Sequence, residues 1–93
     1  MGGEIQKERP AVIVSNDAAN RTLNRVQVVP ISSNVNRRYP GEARVTLYGQ
    51  SRKAMADQLT TVSKERLSNE RGILSLADME QVDRAIATQL GLR

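Results

Sequence analysis

Arg9-Pro10-Ala11-Val12-Ile13-Val14-Ser15-Asn16-Asp17 places a short apolar, β-branched run between an arginine and a cluster of turn formers. With no polar residue alternating through it, Pro10–Val14 reads as a strand buried on both faces. Ser15-Asn16-Asp17 ends that strand, because Asn and Asp side chains bond their own backbone in turns. Working outward, residues 1–9 are polar and carry glycine, and read as a loop. Ala18 to Asn24 reads as a helical turn or a structured loop. Val26-Gln27-Val28-Val29 is a second strand with Pro30-Ile31 at its end, and Ser32-Ser33-Asn34 opens a loop. Pro40-Gly41 marks a turn, after which Glu42 to Leu47 alternates as a third strand.

Gly49 to Lys53 reads as a loop. Ala54 to Leu59 reads as a fourth strand, although its propensities also admit a helix. Ser63 to Leu67 reads as a short helical turn, and Gly72-Ile73-Leu74 as a brief fifth strand. The clearest element comes last. Leu76, Met79, Val82, Ile86 and Leu90 recur at steps of three and four, which puts them on one helical face. Ser75, with Asp78 three residues on, fits an N-cap with an acidic first turn, and Gly91 fits a stop. Several short strands with one terminal helix predict a mostly-β (β plus α) fold, a small barrel of short antiparallel strands closed at one end by the C-terminal helix. The whole chain, 1–93, reads as one domain.

Composition narrows the chemistry. The 93 residues contain no cysteine and no histidine. That excludes a disulfide framework, a thiolate or imidazole metal site, a cysteine nucleophile and a Ser-His-Asp triad. Any catalysis must run on carboxylates, hydroxyls, Arg or Lys. No apolar run reaches 18 residues, and no basic start precedes an apolar stretch, so neither a transmembrane helix nor a signal peptide is expected. The net charge is +4, and it is unevenly spread: nine bases face four acids through Lys53, and five face six after it. Excess arginine in one half suits a polyanion, because guanidinium binds phosphate bidentately. It equally suits a solvated basic face. Tyr39 and Tyr48 are the only aromatics, too few for an extended base-stacking platform.

Three features are candidates for function: Glu4 with Arg9, Ser32-Ser33 after the second strand, and Asp57-Gln58 within an apolar run. Singly, each has an ordinary alternative. Arg9 could form a surface ion pair, Ser32-Ser33 could make a turn, and Asp57 could bond loop amides at a corner. Their order is more specific. Glu4, then Arg9-Pro10-Ala11-Val12-Ile13-Val14-Ser15-Asn16-Asp17, then Val28-Val29-Pro30-Ile31-Ser32-Ser33, then Tyr39-Pro40-Gly41-Glu42, then Ala56-Asp57-Gln58, then Leu90-Gly91-Leu92 closely resembles the MazF/PemK family of bacterial toxins. The resemblance runs from Glu4 to Leu92.

The resemblance implies an SH3-like, CcdB–MazF-type barrel and a sequence-specific endoribonuclease, or mRNA interferase, that cleaves single-stranded RNA with no metal or organic cofactor. It also implies a homodimer in the bacterial cytoplasm, away from membranes, inhibited by a MazE-like antitoxin. Arg9 sits where the family has a catalytic arginine, and Ser32 where it usually has a catalytic threonine; the exchange keeps the hydroxyl. Glu4 matches a glutamate ahead of that arginine. Asp57 matches an Asp that one branch uses in acid/base chemistry, together with a histidine and an arginine two residues before the Asp. Here that earlier position is Met55 and histidine is absent, so the Arg–Ser scheme fits better. The basic excess before residue 54 would hold an RNA backbone, with Arg37 and Arg38 as candidates, and Ser33 and Gln58 are further RNA-binding candidates. Family members normally begin with an Arg-Gly-Glu-hydrophobic-Trp strand, whereas this sequence starts within the following loop, at Met1-Gly2-Gly3-Glu4. That departure admits a truncated or inactive copy. The related gyrase poisons offer a non-catalytic alternative, but they depend on a Trp-Gly-Ile type of tail, and Leu90-Gly91-Leu92-Arg93 stands here instead.

Overall fold

The computed structural model describes residues 9–37, 39–68 and 72–92. Glu4, Arg38 and the loop expected over residues 1–8 lie outside the described residues. Among these residues, five antiparallel strands curl around one long helix, in the order β1 (Ala11–Ile13), α1 (Asp17–Thr22), β2 (Arg25–Ser32), β3 (Glu42–Leu47), β4 (Gln50–Met55), β5 (Thr60–Ser63) and α2 (Leu76–Leu90). Two 3-10 turns, Ala56–Gln58 and Lys64–Arg66, flank β5.

β2 organises the sheet. On one flank it pairs with β1, Ala11 opposite Pro30 and Ile13 opposite Val28. On the other flank it pairs first with β5, Arg25 opposite Ser63 through Val28 opposite Thr60, and then with β4, Ile31 opposite Ala54. β4 and β5 therefore run along the same edge of β2. Their registers differ by three residues, the length of the 3-10 turn Ala56–Gln58 between them. The turn works as a large bulge that bends the sheet. β3 completes the sheet beyond β4.

Side-chain alternation then divides the faces. Val29 and Ile31 of β2, Ala43 and Val45 of β3, and Ala54 of β4 turn inward with Ala56, Val82 and Ala85. Val12, Val14, Leu59, Leu74 and Ile86 pack around this core. α2 lies across β3. The Ser75 hydroxyl caps the helix by accepting from Asp78 N at 3.0 Å. Gly91, at φ 70°, ends it, with Leu92 N donating to Ala87 O at 2.7 Å in a Schellman closure. The Asp78 carboxylate accepts from Thr46 N at 2.8 Å, which satisfies an outward amide on edge strand β3.

Four expectations are corrected. Pro10–Val14 is not buried on both faces: among the described residues β1 is an edge strand whose Ala11 and Ile13 are exposed, and only Val12 and Val14 reach the core. Gly49–Lys53 is not a loop. Tyr48 (φ 55°) and Gly49 (φ 74°) alone make a two-residue hairpin turn, with Leu47 opposite Gln50, and the polar residues after it begin β4. Ala54–Leu59 is not one strand, because β4 stops at Met55 and the 3-10 turn follows. Gly72–Leu74 forms no strand; the fifth strand is Thr60–Ser63, and Ile73 is 90% exposed. The α2 boundaries match their local signals, but its inward face is narrower than its apolar stripe. Val82 and Ala85 are buried, while Leu76 and Leu90 are exposed.

Val82 is wholly inaccessible to solvent and joins α2 to the core. Val82→Ala is expected to lower the unfolding free energy by about 2 kcal/mol through lost burial and a residual cavity. Ser75→Ala is expected to cost about 1 kcal/mol through the lost cap. Urea denaturation measures both.

Candidate functional site: a polar row across four strands

The β1–β2 ladder continues one step beyond β1, where Ile31 N donates to Pro10 O at 3.0 Å. In this register the next facing pair is Arg9 with Ser32. Ser32 is opposite Lys53 on its other flank, and Lys53 is opposite Arg44. Cross-strand partners share a face, and neighbouring strands lie about 4.8 Å apart, so Arg9, Ser32, Lys53 and Arg44 form one row about 14 Å long. The adjacent row, Ile31, Ala54 and Ala43, turns into the core. The polar row consequently occupies the opposite face of the sheet.

The environment differs along the row. Arg9 is exposed, Ser32 half-buried, Lys53 buried and Arg44 exposed. The Ser32 hydroxyl accepts from Asn34 N at 3.1 Å, which engages a lone pair and leaves its O–H proton free to donate. Lys53 Nζ lies 3.4 Å from Glu42 Oε1 and donates to Arg37 O at 2.9 Å. Arg44 Nη2 donates to Val35 O at 3.0 Å. The row thus presents an exposed guanidinium, with no side-chain partner among the described residues, beside a donor hydroxyl, a pair suited to two oxygens of one phosphate.

The other sequence candidates lie apart from the row. Ser33 and Arg37 are exposed in the segment joining β2 to β3, and Arg37 Nη1 donates to the Tyr39 hydroxyl at 3.3 Å. Asp57 and Gln58 are exposed on the 3-10 turn, where Asp57 borders a depression shared with Gly41, Glu42, Thr88 and Gln89. Among the described residues the Asp57 side chain accepts no hydrogen bond. Sequence reasoning missed Lys53, which it placed in a loop. A continuation of alternation from Gly49 into Ala54 would have been the signal, but Gln50-Ser51-Arg52-Lys53 carries no apolar residue to reveal it. Among the described residues no helix is long and apolar enough to cross a membrane.

Comparison with known proteins identifies the family of the chain. The family described as PemK-like, MazF-like toxin of type II toxin-antitoxin system matches residues 1–90. Endoribonuclease MazF9 of Mycobacterium tuberculosis is 38% identical over 100 residues, covering 98% of this chain and 85% of the relative. Among solved structures, an endoribonuclease in complex with its cognate antitoxin from a mycobacterial species superposes with a TM-score of 0.82 at 30% identity, over 91% of this chain and 82% of that one. MazF of Deinococcus radiodurans superposes at 0.78 with 23% identity, over 99% of this chain and 84% of that one, a likeness of fold. With a family match spanning nearly the whole sequence and the barrel in place, the chain belongs to the PemK-like, MazF-like toxins of type II toxin–antitoxin systems.

Proposed function

We propose that this chain is an endoribonuclease toxin that cleaves single-stranded RNA without metal and is inhibited by a MazE-like antitoxin. The observation that carries the reading is the facing pair of Arg9 and Ser32 on one sheet face. The name of the 38% identical relative, an endoribonuclease, supports it. That the similar mycobacterial structure holds a cognate antitoxin supports the inhibitor. A net charge of +4 suits both RNA and an acidic partner segment.

The chemistry needs no protein nucleophile. The ribose 2′-oxygen bonds to the adjacent phosphorus, the bond from phosphorus to the 5′-oxygen breaks, and the products are a 2′,3′-cyclic phosphate and a 5′-hydroxyl. One proton leaves the 2′-hydroxyl and one reaches the 5′-oxygen. Negative charge builds on the non-bridging oxygens, where fixed donors act most strongly. Arg9 clamps those oxygens, and Ser32 donates its free proton to the same phosphate. Glu4 is the candidate acceptor for the 2′-proton, or else orients Arg9. Asp57 is the alternative acid/base. Ser33, Arg37, Arg38 and Gln58 contact the RNA chain, and the need for a 2′-hydroxyl selects RNA over DNA. Exposed Ile73, Leu76, Leu90 and Leu92 support a homodimer that covers them. The toxin acts in the bacterial cytoplasm, where its substrate lies.

In the presence of EDTA, the wild type is expected to cut a long single-stranded RNA at a short recurring sequence. Arg9→Ala is expected to cut about 100-fold more slowly or worse. A folded wild type that leaves such RNA intact contradicts the reading. Ser32→Ala is expected to lose at least about tenfold in kcat while Ser32→Thr stays within about threefold, since only the first removes the hydroxyl donor. Arg37→Ala, measured by RNA binding against salt concentration, is expected to reduce the slope of log affinity against log salt by about 0.7, one phosphate contact on a single strand.

A further inference from the structure

Lys53 has no place in the chemistry above, yet it is the one charged residue among the described residues that counts as buried, 7% exposed in the middle of β4. A lysine is rarely so enclosed unless its ammonium is paired. Its partners all concern the segment joining β2 to β3. Glu42 Oε1 lies 3.4 Å away, and that same oxygen accepts from Tyr39 N at 2.8 Å. The Arg37 carbonyl accepts directly from Lys53 Nζ. Glu42 faces Met55 in the β3–β4 ladder, so it lies diagonally beside Lys53 on the same face.

The neighbours in the polar row act on the same segment. Ser32 holds Asn34 N, Arg44 holds Val35 O, Lys53 holds Arg37 O, and Glu42 holds Tyr39 N. The backbone that follows Ser32 is thus pinned at four points by side chains of β2, β3 and β4. Of these links among the described residues, the pair of Lys53 and Glu42 is the buried one. Ser33 and Arg37, which face RNA in the functional reading, ride on this backbone.

We propose that Lys53, through its pair with Glu42, is a positioning residue that fixes the course of the β2–β3 segment and thereby determines which RNA sequence is selected. It does so without touching the reacting atoms. The specificity half of this proposal rests on the ribonuclease reading; the structural half does not.

The test uses Lys53→Met, which keeps the stem and removes the charge, and Lys53→Met/Glu42→Gln, which also avoids stranding a buried carboxylate. Val82→Ala serves as a control for lost stability alone. Amide hydrogen exchange is read across the segment and across α2. Cleavage-site profile, KM and kcat are read on one long single-stranded RNA. Both Lys53 variants are expected to exchange at least tenfold faster at Tyr39 while α2 stays protected. They are also expected to raise KM about fivefold or more and to cut at sequences the wild type ignores, with kcat within threefold. Val82→Ala is expected to keep the wild-type cleavage profile. Unchanged exchange at Tyr39 in the double variant overturns the proposal. A 100-fold loss of kcat with KM and the cleavage profile intact also overturns it, and makes Lys53 a group that acts on the phosphate. A wild type that does not cut RNA overturns the specificity role together with the ribonuclease reading, and exchange at Tyr39 still decides whether Lys53 holds the segment.

Discussion

The pairing of β2 with partners on both flanks is the constraint from which the rest follows. Eight residues, Arg25 to Ser32, supply the shared strand for β1, β4 and β5. Because side chains alternate, one register decides two outcomes together. It sends Val29 and Ile31 into the core, and it sends Ser32 to the other face between Arg9 and Lys53. A slip of one residue would bury Ser32 and expose Ile31, so hydrophobic burial protects the arrangement of the polar row. The site thus inherits its geometry from the core without belonging to it.

The polar row is uneven in a way that suits its work. Arg9 stands exposed at one end, Ser32 keeps a proton to donate, and Lys53 and Arg44 are occupied with backbone carbonyls. Cations that lie next to one another repel unless something intervenes. Here the carboxylate of Glu42 and the carbonyls of Val35 and Arg37 absorb that repulsion at one end of the row. Among the described residues, the positive charge that carries no partner lies at the Arg9 end, beside the hydroxyl. A polyanion approaching this face meets an exposed guanidinium there.

The legible parts of the fold were those governed by local rules. Val26–Ile31 and Glu42–Leu47 announce themselves by β-branched content or alternation, and α2 by its stripe, its Ser75 cap and its Gly91 stop. β4 was hidden because its first four residues are polar on both faces, so nothing in Gln50-Ser51-Arg52-Lys53 distinguishes a strand from a loop. The three-residue shift at Ala56–Gln58 depends on how β2 is shared, which no local window contains. β1 was read too deep because a run of β-branched residues looks the same at an edge as at a centre. Ile73 and Leu74 are apolar neighbours, but only Leu74 reaches the core. Arg9 and Ser32 stand out in the sequence itself, the family resemblance gives them roles, and their adjacency comes from the ladder. Lys53 was invisible as a site residue because its role comes from strand neighbours 11 and 21 residues away in sequence.

In the proposed function Arg9 and Ser32 hold one phosphate between them. This placement is tested most directly by the crystal structure of the protein with a single-stranded RNA that carries a 2′-deoxyribose at its cleavage position, which removes the attacking hydroxyl and leaves the phosphate whole. That phosphate is expected within hydrogen-bond distance of both the Arg9 guanidinium and the Ser32 hydroxyl, with the flanking nucleotides running along the β2–β3 segment. A scissile phosphate seated elsewhere, for example at the 3-10 turn beside Asp57, with Arg9 and Ser32 left in solvent, would contradict it.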